Sequence, residues 1–498
     1  MSEPKKVGRR TFLNYAIAVV ATGVIVGAAT YFAVPKEVTT VTAPGTTVTT
    51  TKTVTTTVTG TPTTSPTPTE TVPFKEGVKP LRKYPGVKVT ALFSTHSAWM
   101  GPLVDLWAKE TGAQVEALWL AVADLEAKAM TDLAQGVSWD IVQLDDPWYG
   151  EFEPFIIPVS QWPSEYRDYI YSKEYDLDDI TKGALKMPTH KGELWGLPYR
   201  TGARMLFYRK DLYQKYGLKV PPATEEYYFW DEGNEPSLLK DLIALKPEIP
   251  NTYPFGVMAK QGGANAYHYI SEWLWPWGGT VLDEKDNWRP KLDSREALES
   301  LTFYVDLLHK YGVMHPESVA WEWSEIQTAQ QKGKVAVTNL YTPYATAMND
   351  PTKSDVAGKM GYALVPKGPP PKGISTSAVG GWSFSITKFS KNKEAAADLI
   401  INLTNKEGQL LMAKLGNGPT RKSVFAHPDM KWMWWSPTII ASLERARTHP
   451  KIPEWPKIHI KGQEVVAKAL ARIMTPKEAL DEWQKYADSL LREAGYYK

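Results

Sequence analysis

Between residues 39 and 71 the chain carries 19 threonines and four prolines, with no aromatic, leucine, isoleucine or methionine. Such a tract cannot bury enough apolar surface to offset the entropy of ordering it. It reads as an extended, solvated stalk, and Thr/Pro-rich tracts outside the cell are often O-glycosylated. Any compact domain must lie to one side of it. On the amino-terminal side, Lys5, Lys6, Arg9 and Arg10 precede a run of 20 uncharged, mostly apolar residues, Tyr15 to Val34. At about 1.5 Å per residue a helix of that run spans roughly 30 Å, the thickness of a bilayer core. The basic flank stays in the cytoplasm, which places everything after Pro35 outside. Gly8 to Leu13 reads Gly-Arg-Arg-Thr-Phe-Leu, similar to a twin-arginine export signal, although a general export signal shares that look. The run ends Thr30-Tyr31-Phe32-Ala33-Val34, a poor small-residue cleavage site, which favours a retained anchor over a cleaved signal. The expected organisation is therefore 1–34 signal or anchor, 35–74 stalk, and 75–498 folded body.

The body excludes several functions by composition. Residues 1–74 hold six of the 57 Lys/Arg and three of the 55 Asp/Glu, so the body is close to neutral and lacks the basic excess of a nucleic-acid binder. No cysteine is present, which excludes disulfides, thiolate chemistry, cysteine-ligated zinc and a cysteine-borne lipid anchor. No phosphate-cradling or dinucleotide glycine motif, no HExxH pair and no GxSxG elbow occurs. The eight histidines are scattered without metal-ligand spacing. Asp176, Asp178 and Asp179 resemble half a calcium loop but lack its glycine and distal glutamate, so a solvated acidic turn is the better reading. Neither a metal nor a cofactor is expected. The sequon Asn402-Leu403-Thr404 falls on a helical pattern and reads as a chance occurrence.

Strand-like and helix-like stretches alternate through the body. The pattern predicts strands at 87–93, 114–120, 140–144, 205–209 and 334–340. It predicts helices at 101–111, with Leu103, Leu106 and Trp107 on one face, and at 123–135, 210–216, 294–311, 390–405, 464–471 and 476–494. Alternating β and α elements argue for an α/β fold with parallel strands and flanking helices. Ligands in such folds sit beyond the carboxyl ends of strands, which marks the loops beginning at Ser94 and Asp145.

The 20 tryptophans sharpen the reading. Trp99 follows Thr95-His96-Ser97, Trp148 follows Asp145-Asp146-Pro147, and Trp382 follows Gly380-Gly381. Trp273, Trp275 and Trp277 alternate, and Trp321 and Trp323 flank Glu322. An indole offers a large rigid face to the C–H face of a sugar ring, and carboxylates or arginine satisfy its hydroxyl rim. Tryptophan also buries area for its own sake, and for Trp107, Trp139, Trp195 and Trp483 simple packing is the better reading.

An ordered series of motifs resembles the extracellular solute-binding proteins of carbohydrate ABC transporters. Leu133-Ala134-Gln135-Gly136 precedes Trp139-Asp140-Ile141-Val142. Gly196-Leu197-Pro198-Tyr199 leads to Leu206-Phe207-Tyr208-Arg209-Lys210-Asp211-Leu212. Pro221-Pro222-Ala223-Thr224, Trp275-Pro276-Trp277-Gly278-Gly279, Gln331 to Val337, Gly380-Gly381-Trp382, Ser390 to Ala396 and Pro419-Thr420-Arg421 follow in order. The family pattern often has proline where Ser138-Trp139 stands, and a tryptophan is missing after Thr224. The anchor and stalk are similar to those of archaeal surface-anchored binding proteins, and 38 prolines are compatible with a thermophile.

The resemblance implies a two-lobed periplasmic-binding-protein-like (type II) α/β fold with several crossings between lobes. The crossings are expected near 198–202, near 377–381 and within 420–450. Lobe 1 would comprise about 86–200 and 380–425, and lobe 2 about 201–379 and 426–498. Gly202 and Gly380-Gly381 would absorb the hinge rotation. The expected ligand residues are Trp99, Asp145, Asp146, Trp148, Tyr199, Arg200, Trp275, Trp277, Tyr341, Gly380, Gly381 and Trp382. Asp146 reads equally as a turn residue. Arg200 and Arg204 read equally as partners of lobe carboxylates, and Glu322 as a solvated helix residue. The implied protein is a monomeric, non-enzymatic receptor for a sugar or oligosaccharide, tethered at the cell surface, serving ABC permease subunits and their ATPase. A peptide, polyamine or anionic sugar are alternative ligands. A surface glycoside hydrolase is the alternative of another class, with Asp145, Asp146 and Glu322 as its carboxylates, which would have to stand about 5–5.5 or 6.5–9.5 Å apart. A ferric-binding protein needs a tyrosine or histidine cluster that the sequence does not display.

Overall fold

The computed structural model describes residues 40–43, 46–49 and 81–498, except 226–227 and 263–264. The chain divides into two compact units, Met1–Val72 and Pro73–Lys498. The apolar run 15–34 lies outside the described residues. Among the described residues no helix is long and apolar enough to cross a membrane. Within the threonine tract, Thr40–Ala43 pairs antiparallel with Thr46–Thr49, as β-branched side chains favour.

The body is built on β1 (Lys88–Ser94), α1 (Gly101–Thr111), β2 (Gln114–Leu120), α2 (Val122–Ala134), β3 (Ile141–Asp145), β4 (Leu197–Arg209) and β5 (Tyr253–Gly256). There follow α3 (Arg295–His309), β6 (Val335–Tyr341), β7 (Met360–Ala363), β8 (Val379–Ile386), α4 (Lys393–Thr404), α5 (Trp455–Leu470) and α6 (Pro476–Glu493). The strands form one eight-stranded sheet in the order β2-β1-β3-β8-β4-β6-β5, with β7 also on β4. β1 runs parallel to β2 and β3, as the βα alternation requires. α1 carries Pro102 in its first turn and ends on Gly112 at φ 77°, a conformation that suits glycine. It buries Leu103, Val104 and Trp107, with Val104 where Leu106 was expected.

β4 departs from expectation. The sequence suggested a crossing at 198–202 and a separate strand from Met205. Instead one 13-residue strand runs through. Its first half pairs with β8 and its second half with β6 and β7. Eleven of the 13 residues are buried, so the chain crosses as a paired strand and not as a loop. Gly202 serves close approach here: a Cβ would stand 2.8 Å from the Pro343 Cδ. Two other backbones cross alongside. Val379 N donates to the Arg447 carbonyl at 3.0 Å, and Arg447 N donates to the Ser377 carbonyl at 2.8 Å. The fold is a mixed two-lobed α/β architecture like that of periplasmic binding proteins, and β4, β8 and the Arg447 segment run side by side in it.

Two helix starts also differ. Ser390 does not open a helix. Its hydroxyl donates to Asp140 Oδ1 at 2.6 Å, and α4 begins at Lys393 after Asn392. α5 begins at Trp455, nine residues before the expected start, because Trp455, Ile458, His459 and Gly462 form its buried face. That face mixes polar and small residues, so its period is hard to see in the sequence. α6 matches expectation through a capping box between Thr475 and Glu478. Trp107 and Trp483 are fully buried. Asp179 bonds Ser423 and faces the buried Arg421 at 3.4 Å, so the acidic turn anchors a neighbouring segment. Asn402 is buried.

Candidate ligand-binding cleft

The carboxyl end of β3 opens the site. Trp382 on β8 stands opposite Asp145 on one side and Arg200 of β4 on the other. Directly paired residues share a sheet face, so Asp145, Trp382 and Arg200 form one row across three strands. Trp148, in the short helix after β3, meets Trp382 edge-on at 5.4 Å. The His96 carbonyl accepts from Trp99 Nε1 at 2.9 Å and from Arg200 at 3.4 Å, which brings Trp99 to the same end. Gly381 permits the row: a Cβ there would lie 2.2 Å from the Arg200 carbonyl. A Cβ on Gly380 would lie 3.0 Å from the Tyr341 hydroxyl.

The two aspartates differ in environment. Asp145 is partly exposed and, among the described residues, accepts from Asp146 N at 2.9 Å. Burial pushes its carboxyl up to about 7, helped by Asp146 and Glu126 and opposed by Arg200. Asp146 is 2% exposed and pairs with Lys451 Nζ at 3.5 Å. Burial raises it to about 6 against the pull of that ammonium. Lys451 also donates to the carbonyls of Met187 and Thr189, each at 2.7 Å. The Asp146–Lys451 pair thus ties the turn after β3 to the Arg447–Lys451 segment.

Beside this row an aromatic group gathers around the end of β6. Tyr341 ends β6 above Arg204, 4.7 Å from guanidinium to ring. Trp323 stands 5.6 Å from Tyr341 and lies parallel to Tyr344 at 6.2 Å. Tyr267 stacks on His459 at 3.6 Å. Burial raises the Tyr267 hydroxyl, with Asp145 the next cause. Arg204 is fully buried and donates to Glu272 Oε1 at 2.8 Å, while Asn339 donates to Glu272 Oε2 at 3.1 Å. Arg204 is therefore a partner of a carboxylate within the core.

Two expected ligand residues, Tyr199 and Trp277, lie in the cores, and Trp275 lines a neighbouring cavity. Tyr199 is fully buried, stacked on Phe384 at 4.1 Å, with its hydroxyl 2.5 Å from Ser97. Trp277 is 4% exposed and packs on Phe303 in the second core. Trp275 is 3% exposed and lines a cavity of about 780 Å³ together with His449, whose ring contacts Tyr267 at 4.4 Å. Glu322 pairs with Lys260 at 2.9 Å and caps its own helix. Tyr267, Tyr344, His449 and His459 were not anticipated. Tyr267 and His459 sit mid-helix and carry no local signal; Thr342-Pro343-Tyr344 after β6 is the one turn that could have pointed to the site. Among the described residues, no group of three or more histidines and acids could hold a metal ion.

The family described as bacterial extracellular solute-binding protein matches residues 91–410. The chain belongs to this family, a binding protein and not an enzyme, of the kind that serves ABC transporters. That sets aside the hydrolase alternative. A probable amino-acid ABC transporter periplasmic-binding protein of Sinorhizobium fredii is 25% identical over 84% of this chain and 92% of its own length. The mannitol-binding protein of Pseudomonas aeruginosa is 25% identical over 78% of this chain and 89% of its own. The maltose-bound MalE3 of T. maritima superposes with a TM-score of 0.68 at 26% identity, covering 81% of this chain and all of that one.

Proposed function

We propose that this chain captures a sugar or polyol in the cleft between the β3 end and Tyr341, and hands it to the membrane subunits of an ABC importer. The observation that carries the reading is the row Asp145–Trp382–Arg200 with Trp148 at its edge, facing Tyr341, Trp323 and Tyr344. Indole and phenol faces suit the apolar face of a sugar, and Asp145 and Arg200 supply an acceptor and a donor for its hydroxyls. The mannitol- and maltose-binding relatives support the same ligand class. The lobes would be those expected from sequence, acting as a monomer that the apolar segment 15–34 and the stalk hold at the cell surface.

A second reading, an amino acid or amine, draws on the relative from Sinorhizobium fredii. It also draws on Asp145, Glu126 and Glu151. Their fields couple Asp145 to Glu126 and Glu126 to Glu151.

A thermal-shift screen of the full-length protein against maltose, mannitol, arginine and spermidine separates the two. A ligand at 100 times its Kd adds about 2.7 kcal/mol of stability. A shift from maltose or mannitol that Asp145→Asn reduces supports the sugar reading. A shift from arginine or spermidine alone overturns it.

A further inference from the structure

The aromatic group at the end of β6 rests on a buried polar cluster. Tyr341 and Arg204 are directly paired on β6 and β4, so their side chains rise from one sheet face. The Arg204 guanidinium lies 4.7 Å from the Tyr341 ring and 5.6 Å from the Trp323 ring. It is fully buried, and a desolvated cation is the kind that an aromatic face attracts most strongly. Gly380 completes the seat: a Cβ there would stand 3.0 Å from the Tyr341 hydroxyl and 3.1 Å from two ring carbons. A charge therefore lies beneath the Tyr341 ring, and bare backbone lies at its edge.

The charge is itself held in place. Arg204 Nη1 donates to Glu272 Oε1 at 2.8 Å. Asn339, two residues before Tyr341 and on the same face of β6, donates to Glu272 Oε2 at 3.1 Å. His268 donates from Nδ1 to Glu272 Oε1 at 2.5 Å, and its Nε2 accepts from Arg204 at 2.6 Å. Burial, with Arg204 the next cause, holds this imidazole down to about 4, so the ring is neutral and can play both parts. Among the described residues Glu272 is the one carboxylate in contact with Arg204, whose Nε and Nη2 meet no acceptor. Glu272 comes from a π-helical turn, Ile270–Leu274, closed by Trp275 N donating to the Ile270 carbonyl at 2.9 Å. Such turns recur at functional sites. A fully buried ion pair is a poor device for stability, because apolar residues of the same volume serve as well or better. Orientation is what this one supplies.

We infer that Arg204 is a positioning residue anchored by Glu272, which holds Tyr341, with Trp323 against it, in the orientation that receives a ligand. The inference rests on the reading of this aromatic group as a wall of the ligand site. Rings set in advance lose less rotamer freedom on binding, so the pair raises affinity without touching the ligand.

The test uses the full-length protein carrying 3-fluorotyrosine at position 341. Its ligand is whichever of maltose, mannitol, arginine and spermidine gives the largest thermal shift. Without ligand, the fluorine gives one narrow resonance, and Arg204→Met/Glu272→Met moves or broadens it. That double variant exchanges both buried charges for apolar side chains and is expected to fold, whereas Glu272→Gln leaves the arginine uncompensated. Calorimetry gives a Kd about five- to tenfold weaker in the double variant, the cost of ordering one or two side chains on binding. In a Tyr341→Leu background the same double substitution changes the Kd by less than about twofold, because its effect runs through that ring. If circular dichroism shows the double variant unfolded, Arg204→Lys takes its place in every readout. An unmoved fluorine line, or an unchanged Kd in the folded variant, overturns the inference. So does a loss of equal size with and without Tyr341, since the pair then acts elsewhere. The full pattern with arginine or spermidine alone sustains the positioning role while removing the sugar reading. If none of the four binds, the sugar reading loses its support and the fluorine line alone decides the inference.

Discussion

Asp145 is the side chain on which the cleft's pH behaviour turns. Its carboxyl stands at about 7 in the fold against about 3.9 in an unfolded chain. Between those values the folded state binds more protons, so this group's contribution favours folding at low pH and is lost as pH rises to about 7. Glu126, also at about 7, acts in the same direction. Urea midpoints of the ligand-free protein should therefore fall between pH 5 and pH 8, and Asp145→Asn should flatten part of that fall. An unchanged slope in the variant would refute the assignment. Ligand affinity should run the other way, because only the carboxylate accepts a hydroxyl at full strength. The Kd for a neutral sugar should tighten from pH 6 to pH 8.

At the scale of elements, the decisive features are the three crossing backbones and what holds them. The pair Asp146–Lys451 fastens the Arg447–Lys451 segment to the turn after β3. Breaking a buried pair leaves a charge without compensation, at about 3–5 kcal/mol. Lys451→Met should lower the denaturation midpoint accordingly, and the double variant Asp146→Asn/Lys451→Met should recover part of the loss. A double variant no better than the single one would mean that the carbonyl contacts of Lys451, not the pair, carry the energy. Gly381→Ala should separate β4 from β8, since its Cβ meets the Arg200 carbonyl at 2.2 Å. Overpacking of this kind typically costs about 1–3 kcal/mol, visible as a lower Tm. The glycines at the crossings were legible in the sequence as special positions. Their reason was not: freedom to rotate and room for a neighbouring backbone leave the same letter.

The proposed mode of action is closure of the lobes on a ligand, and only a ligand that contacts both can shift that equilibrium. In the proposed site Asp145 and Trp382 belong to one group and Tyr341 and Trp323 to another. The radius of gyration of the full-length protein, from small-angle scattering, should fall when the screened sugar is added. It should not fall in Trp382→Ala, which removes one platform. A ligand-independent radius would argue against closure.

The sequence alone determined what local period, composition and ordered motifs can carry. Those were the α/β class, most helices and strands between residues 87 and 144, and the family. It also marked Asp145, Trp148, Arg200, Tyr341 and Trp382, because each sits at the end of a recognisable strand or beside a motif. Tertiary structure alone decided which aromatics face the cleft. Tyr199 and Trp277 turned into cores, while Tyr267 and His459 stack on each other from separate helices. Burial of a side chain depends on contacts between elements hundreds of residues apart, such as the Lys451 carbonyl lying 2.4 Å from where a Cβ on Gly150 would stand. No periodicity along the chain encodes contacts of that kind.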